Sequence, residues 1–277
     1  MSQETPADVG ITAALIVIGE EILSGRTHDT NTPYIADYLT RAGISLREVR
    51  VIADIEEEIA GTVNALRGRY TYVFTTGGIG PTHDDVTTDA MGKAFNAAVC
   101  LNDEAVAALG MKYTPEELTP ARLRMARIPE GAALIHNYVS RAPGYMIGNV
   151  VVMAGIPAVM HAMLDEVLPR LEKGIPVQSR SVRVSARESE VAAPLAALQE
   201  SFADVQMGSY PFYDHQRFGT YLVLRSADDR RLTEALDALW QLPGCSRWFL
   251  ASCAFTNAFS ASSCGLNGCS PSSSSRS

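Results

Sequence analysis

Tyr72-Val73-Phe74-Thr75-Thr76-Gly77-Gly78-Ile79-Gly80-Pro81-Thr82-His83-Asp84-Asp85-Val86-Thr87 runs from an apolar segment through a glycine loop into a group of carboxylates. Glycines after a strand let backbone N–H groups approach an anion closely, and the start of the following helix adds positive dipole character. Phosphate is the natural guest. Asp84, Asp85 and Asp89 at the same helix start would repel a bare phosphate, so a divalent cation bridging carboxylates and phosphate oxygens reconciles the two. The stretch predicts a nucleotide site with a metal, held by Asp84, Asp85 and Asp89.

The two common glycine motifs fit poorly. In a dinucleotide fingerprint beginning at Gly78 the third glycine would fall on His83, and Pro81 removes an N–H donor from the loop. No Gly-Lys-Ser/Thr follows, so a P-loop is excluded as well. A tight turn with aspartates capping the helix is the plain alternative.

Outward from this loop the chain alternates strands and helices. Ala13 to Ile18 is a continuous apolar run, as expected of a strand buried on both faces of a parallel sheet. Thr32-Pro33 then opens a helix that places Tyr34, Ile35, Tyr38, Leu39 and Ala42 on one face and ends at Gly43. A strand within 44–53 follows, and Asp54 with Glu57 has capping-box spacing ahead of a helix carrying Ile55, Ile59, Val63 and Leu66. The third unit is strand 71–76, the glycine loop and a helix over about 85–97. Helices are expected at 102–110 and 116–127, a short strand near 133–135, a core strand at 149–153 and a helix at 158–171. This order predicts an α/β domain, a parallel sheet in a three-layer arrangement with helices on both faces. Glu20, Asp54, the 75–85 loop and Gly155 each follow a predicted strand, so all four reach the carboxyl edge of the sheet, where open α/β sheets bind ligands.

The thirteen-residue string Thr75 to Thr87 resembles the molybdopterin-binding domain family. Its Gly-Gly-Ile-Gly-Pro-Thr-His-Asp-Asp-Val-Thr form is most similar to the CinA amino-terminal domain and the related domain of eukaryotic FAD synthases. Gly19-Glu20-Glu21-Ile22-Leu23-Ser24-Gly25 with Asp29-Thr30-Asn31 is a second match, and Ala142-Pro143-Gly144-Tyr145 followed by Gly155-Ile156-Pro157 a third. Together they span a domain at 12–175. The resemblance implies a metal-dependent pyrophosphatase acting on ADP-ribose-like or FAD-like dinucleotides with Mg²⁺, Mn²⁺ or Co²⁺. Asp85 and Asp54 match acidic positions of the family, although each also reads as a helix cap. The implied assignment places Thr76, Gly77, Gly78, Gly80, Thr82, His83, Asn31 and Gly155 on the phosphate or substrate, and Asp85, Asp54 and Glu20 in catalysis, with Asp54 or Glu20 orienting the attacking water. No covalent nucleophile is required, and Ser24 and Cys100 lack the surroundings of one. The alternatives are a molybdopterin-binding or adenylylating protein, which would take molybdopterin as ligand, and a nucleotide sensor without catalysis. The family also implies a homodimer or homotrimer, and a chain of this length leaves no room for the further catalytic domains of longer relatives.

A chain of 277 residues that is 47% hydrophobic can bury a sizeable core, and its net charge of −8 argues against a nucleic-acid surface. Small-molecule partners are expected instead. The first eight residues carry no basic region and the run 13–18 is too short for a signal or a membrane span, so a cytoplasmic location is expected. Only Cys100 lies before residue 245, as in a protein of a reducing compartment.

After Gly174-Ile175-Pro176 the expected order is strand, helix, two strands, helix, a small α+β domain at 178–243 similar in length and order to the KH-like module of CinA-like proteins. Gly208 and Gly219 are too far apart for the Gly-x-x-Gly clamp of an RNA-binding KH domain. This region carries seven Arg against nine Asp and Glu, which suits an accessory or dimerisation role. Residues 245–277 hold eleven serines and no acidic residue, the composition of a disordered or aberrant tail.

Overall fold

The computed structural model describes residues 10–214 and 217–242, and the tail and four of the five cysteines lie outside the described residues. The chain divides into two compact units, Met1–Pro176 and Val177–Ser277.

The first unit runs β1 (Thr12–Ile18), α1 (Glu20–Leu23), α2 (Asn31–Arg41), β2 (Ser45–Ile52), α3 (Glu56–Arg67), β3 (Tyr72–Thr76), α4 (Thr87–Phe95), β4 (Val99–Leu101), α5 (Asp103–Gly110), α6 (Pro120–Leu123), β5 (Arg127–Pro129), β6 (Ala133–Ile135), β7 (Gly144–Ile147), β8 (Val150–Met153) and α7 (Pro157–Val167). Its main sheet has the order β2-β1-β3-β8-β7-β6, and β4 pairs with β5 in a separate ribbon. Ala13 to Ile18 are all buried, and the strand's alternation divides them between two cores. Ala14, Ile16 and Ile18 pack with Ile59 and Val63 of α3 and Met91 of α4. Ala13, Leu15 and Val17 pack with Ile35 and Leu39 of α2 and Met160 and Met163 of α7. Each fully buried large aliphatic side chain contributes about 1.5–3 kcal/mol, so this one strand anchors three layers.

The sheet is mostly parallel. β1 pairs in parallel with β2 and β3, and β3 with β8. Beyond β8 the direction reverses, because Ile147 and Val150 flank the two-residue turn Gly148-Asn149, with Gly148 at φ 56°. A two-residue connection can only join antiparallel neighbours. β6 then pairs antiparallel with β7, so the predicted parallel sheet carries an antiparallel edge of two strands.

α2 ends as its sequence predicts. Gly43 has φ 73°, and Ile44 N–H returns to the Leu39 carbonyl. Its start differs: the cap is Asp29, whose Oδ1 accepts the N–H groups of Asn31 and Thr32 at 2.9 and 3.0 Å. Asp54 does not cap α3 either; that helix begins at Glu56 with no side-chain cap.

The second unit runs β9 (Gln178–Val184), α8 (Glu188–Ser201), β10 (Gln206–Asp214), β11 (Arg217–Ser226) and α9 (Asp229–Gln241), with an antiparallel sheet in the order β10-β11-β9. Val182, Val184, Leu222 and Leu224 meet Leu195, Leu232 and Leu236 in its core. The opposite face of the sheet carries Tyr210 and Tyr221 as a cross-strand pair, with the Phe212 ring tilted against Tyr221 at 4.7 Å and Arg183 4.3 Å above Phe212. Among the described residues no helix is long and apolar enough to cross a membrane.

Candidate functional site

The register places the ends of β1, β2, β3 and β8 on one edge: Ile18 pairs with Ile52, Val17 with Thr76, and Thr76 with Met153. Gly19-Glu20, Asp54, the 77–86 loop and Gly155 therefore gather at the carboxyl edge, beside the switch between β1 and β3 where the chain order reverses. Adjacent strand ends are tied by Gly19 N–H to the Ile52 carbonyl and Gly77 N–H to the Met153 carbonyl, both at 3.1 Å.

The glycine loop is shaped by close backbone approach. Gly77 has φ 106°, and a Cβ there would lie 2.0 Å from the Ile18 carbonyl oxygen; Gly78 has φ 67°, and a Cβ would meet Thr87 Oγ1 at 2.1 Å. Thr87 fastens the loop from below, its hydroxyl donating to the Gly77 carbonyl and its N–H to the Gly78 carbonyl, each at 3.0 Å.

The loop's amide donors are largely spent inside the protein. Gly77 N–H is taken by Met153, and Gly80 N–H donates to Asp85 Oδ1 at 2.7 Å. Asp85 Oδ2 accepts from Thr82 N–H at 2.8 Å and from the Thr82 hydroxyl. Asp85 is thus the internal ligand of its own loop, and the N–H groups of Gly77 and Gly80 are hydrogen-bonded within the protein. Thr76 is 1% exposed within β3 and offers no side chain to a ligand.

Asp89 is also committed. Arg127 Nη1 and Nη2 donate to its two oxygens at 3.1 and 2.5 Å, a bidentate pair that engages both of them within the protein. Arg124 Nη2 donates to the Asp85 carbonyl at 3.3 Å, and its Nε is buried without a partner. Asp84 and His83 project outward, with His83 Nδ1 4.0 Å from Asp84 and its side chain 99% exposed, so His83 has no packed partner for proton transfer.

Asp54 lies at the centre of the charge. Its Oδ2 accepts Glu20 N–H at 2.9 Å, and its Oδ1 lies 3.5 Å from a Cβ built on Gly78. Burial pushes its carboxyl above the ordinary value, opposed by the Glu20 N–H and reinforced by the charges of Glu21, Asp84 and Asp85. Glu21, rather than the carboxylate of Glu20, is the acidic neighbour from β1; Glu20 contributes its backbone. Among the described residues no three His, Cys, Asp or Glu side chains form a ready-made metal cage. The donor set still fits a hard cation of the kind held by one or two carboxylates plus ligand phosphate, with exposed Asp84 as its protein oxygen donor.

Asn31 and Gly155 are brought together on the β8 side. Asn31 Nδ2 donates to the Gly155 carbonyl at 2.8 Å, while its Oδ1 is buried and has no partner, although the residue is only 7% exposed. An orphaned buried acceptor at a ligand edge is a contact point for a donor on the ligand. Tyr145, fully buried on β7, reaches Thr88 of α4 at 3.2 Å and ties the antiparallel strands to the loop's helix. A shallow hollow of about 310 Å³ between Tyr38, Arg41 and Lys173 lies where α2 ends, at the other edge of the sheet, and none of its lining residues is acidic.

Arg124 and Arg127 escaped the sequence reading, whereas Glu21 and Thr87 stand within its motif strings. Glu21 had a signal, being adjacent to Glu20 in the same string; the two arginines follow no motif and reach the loop only through the fold.

Comparison with known proteins adds a lineage to this geometry. The probable molybdopterin binding domain family matches residues 14–173, and the FAD synthase middle domain matches residues 176–244. A protein of Archaeoglobus fulgidus is 36% identical over 197 residues, covering 71% of this chain and 84% of its own. A probable FAD synthase of Caenorhabditis elegans is 30% identical over 260 residues, 83% of this chain but half of that longer protein. Among solved structures, the protein CinA of unknown function from Thermoplasma acidophilum is similar at 34% identity with a TM-score of 0.55, over 58% of this chain and 98% of its own.

Proposed function

The chain belongs to the molybdopterin-binding domain family, with a part matching the FAD synthase middle domain after it, and on that premise we propose that its crevice hydrolyses a dinucleotide pyrophosphate of the ADP-ribose or FAD type with the aid of Mg²⁺, Mn²⁺ or Co²⁺. The observation that carries the reading is the gathering of Asp54, Glu21, Asp84 and Asp85 at the carboxyl edge of the sheet, with Asp54 fixed there by Glu20 N–H. Like charges so gathered are unfavourable by themselves and become favourable with a cation and a phosphate between them.

A divalent cation held by Asp84 and the ligand phosphate would neutralise phosphate charge and polarise a phosphoryl oxygen. The chain's own residues do the rest. Asp54 is fixed by Glu20 N–H through Oδ2, which leaves Oδ1 to orient a water and take its proton as the water oxygen bonds to phosphorus. The bridging P–O bond breaks and its oxygen leaves with the second phosphate, so one water is consumed and AMP is released. Asn31 Oδ1 is available to a hydroxyl or amino group of the ligand, which fixes its orientation. Placement at the switch point of the sheet also supports binding of a small phosphate ester.

The test is release of AMP from ADP-ribose and from FAD by the full chain, with each metal in turn and with chelator. Metal-dependent AMP is expected, and its absence under every metal from folded protein sinks the reading. The family match itself favours a second reading, binding of molybdopterin phosphate at the same edge. Retention of molybdopterin without AMP release selects it.

A further inference from the structure

Three donors of the glycine loop, the N–H groups of Gly77, Gly80 and Thr82, are bound internally, and its carboxylates repel anions. A phosphate at this edge therefore needs a positive charge from elsewhere. Arg127 is held by Asp89, and Arg124 lies on the Asp85 carbonyl.

The antiparallel strands deliver another arginine. Ile135 pairs with Gly144, and Tyr145 with Val152, so β6 ends and β7 begins beside the end of β8. The loop between them stands on the same edge as Asp54 and Gly155. It is rigidly organised by Asn137, 5% exposed, whose Oδ1 accepts Ser140 N–H at 2.7 Å and the Ser140 hydroxyl at 3.1 Å, and whose Nδ2 donates to the Ala142 carbonyl at 2.6 Å. Within that turn Arg141 has φ 66°, left-handed backbone that disfavours a residue with a Cβ and that glycine adopts freely. Arg141 is half-buried, and among the described residues it forms no hydrogen bond or ion pair. An uncommitted guanidinium carried on strained backbone at a ligand edge has the character of a ligand clamp.

We propose that Arg141 is the phosphate anchor of the crevice, its guanidinium binding a terminal or bridging phosphate of the ligand from the β6–β7 side while the carboxylates of the 54 and 84 positions face the other side. The inference rests on the phosphate reading of the site but not on hydrolysis, since an anchor serves a binder as well as an enzyme.

The experiment compares AMP with adenosine by calorimetry on the full chain, native and Arg141→Gly. Glycine keeps the left-handed turn and relieves its strain, so the variant is expected to melt at the same or a higher temperature while binding AMP about 10–100-fold more weakly, the worth of a bidentate charged contact. Its affinity for adenosine should be unchanged, and Arg141→Lys should recover part of the loss. Native protein that prefers AMP, with Arg141→Gly preferring it equally, overturns the anchor and leaves the phosphate site standing. Native protein that binds AMP no better than adenosine overturns both. Native preference lost in the glycine variant, in a chain that never releases AMP from a dinucleotide, upholds the anchor while the hydrolytic reading falls.

Discussion

Asp54 Oδ2 accepts the backbone N–H of Glu20 at 2.9 Å, a bond that links the segments following β2 and β1 and holds one carboxylate among three others. Because its folded-state pKa is raised, Asp54 contributes stability below the ordinary carboxylate value near ~4, loses it as pH rises through the raised value, and is a net cost at neutrality. Asp54→Asn keeps an acceptor for Glu20 N–H and removes the charge. The variant should melt above the native protein at pH 7, with the gap closing toward pH 3, and should release no AMP. A lower Tm at pH 7 would show that the carboxylate's charge is favourable where it stands.

Asp85→Ala removes the acceptor of three hydrogen bonds and should cost about 1–3 kcal/mol. The loss is local, so amide exchange at Gly80 and Thr82 should accelerate ahead of the sheet. Unchanged exchange at those two amides would contradict the internal-ligand role.

Asp89 and Arg127 are each about one-third exposed in their side chains, so the pair should couple by about 1 kcal/mol or less in a double-mutant cycle. Asp89→Asn should bind Mn²⁺ as the native chain does. A tenfold weaker metal in that variant returns Asp89 to the ligand set.

Gly77→Ala would place a methyl group 2.0 Å from the Ile18 carbonyl on backbone at φ 106°. β1 is buried on both faces and cannot retreat, so a cost on the order of 3 kcal/mol or more is expected, about 10 °C in Tm. Calorimetry of the variant reads it directly, and a shift under about 2 °C would mean that the loop has a second conformation.

The sequence made β1 legible because six consecutive apolar residues have only one comfortable place, inside a sheet covered on both faces. It also showed which segments meet at the ligand edge, since each polar or glycine residue follows such a run. β7 was not legible: Gly144-Tyr145-Met146-Ile147 is four residues between Pro143 and Gly148, and its strand character comes from pairing with β8. Which atoms are free at the site was equally hidden. Asp85 looks available until its own loop is seen to claim it, and the partner of Asp89 lies 38 positions along the chain. Occupancy of a polar atom is a property of three-dimensional neighbours, whereas placement at a strand end is a property of order.

The carboxylate of Asp85 occupies the Gly80 and Thr82 amides as a tethered anion would, five and three residues from its partners. A tether this short gives an effective concentration in the millimolar range or above. Any anion arriving from solution at those amides must outcompete a rival that never diffuses away. Free phosphate or acetate at ordinary concentrations should therefore leave the loop as it is, and only a ligand gripped elsewhere along the crevice gains enough to open it. The loop in this way discriminates by ligand size without any steric gate.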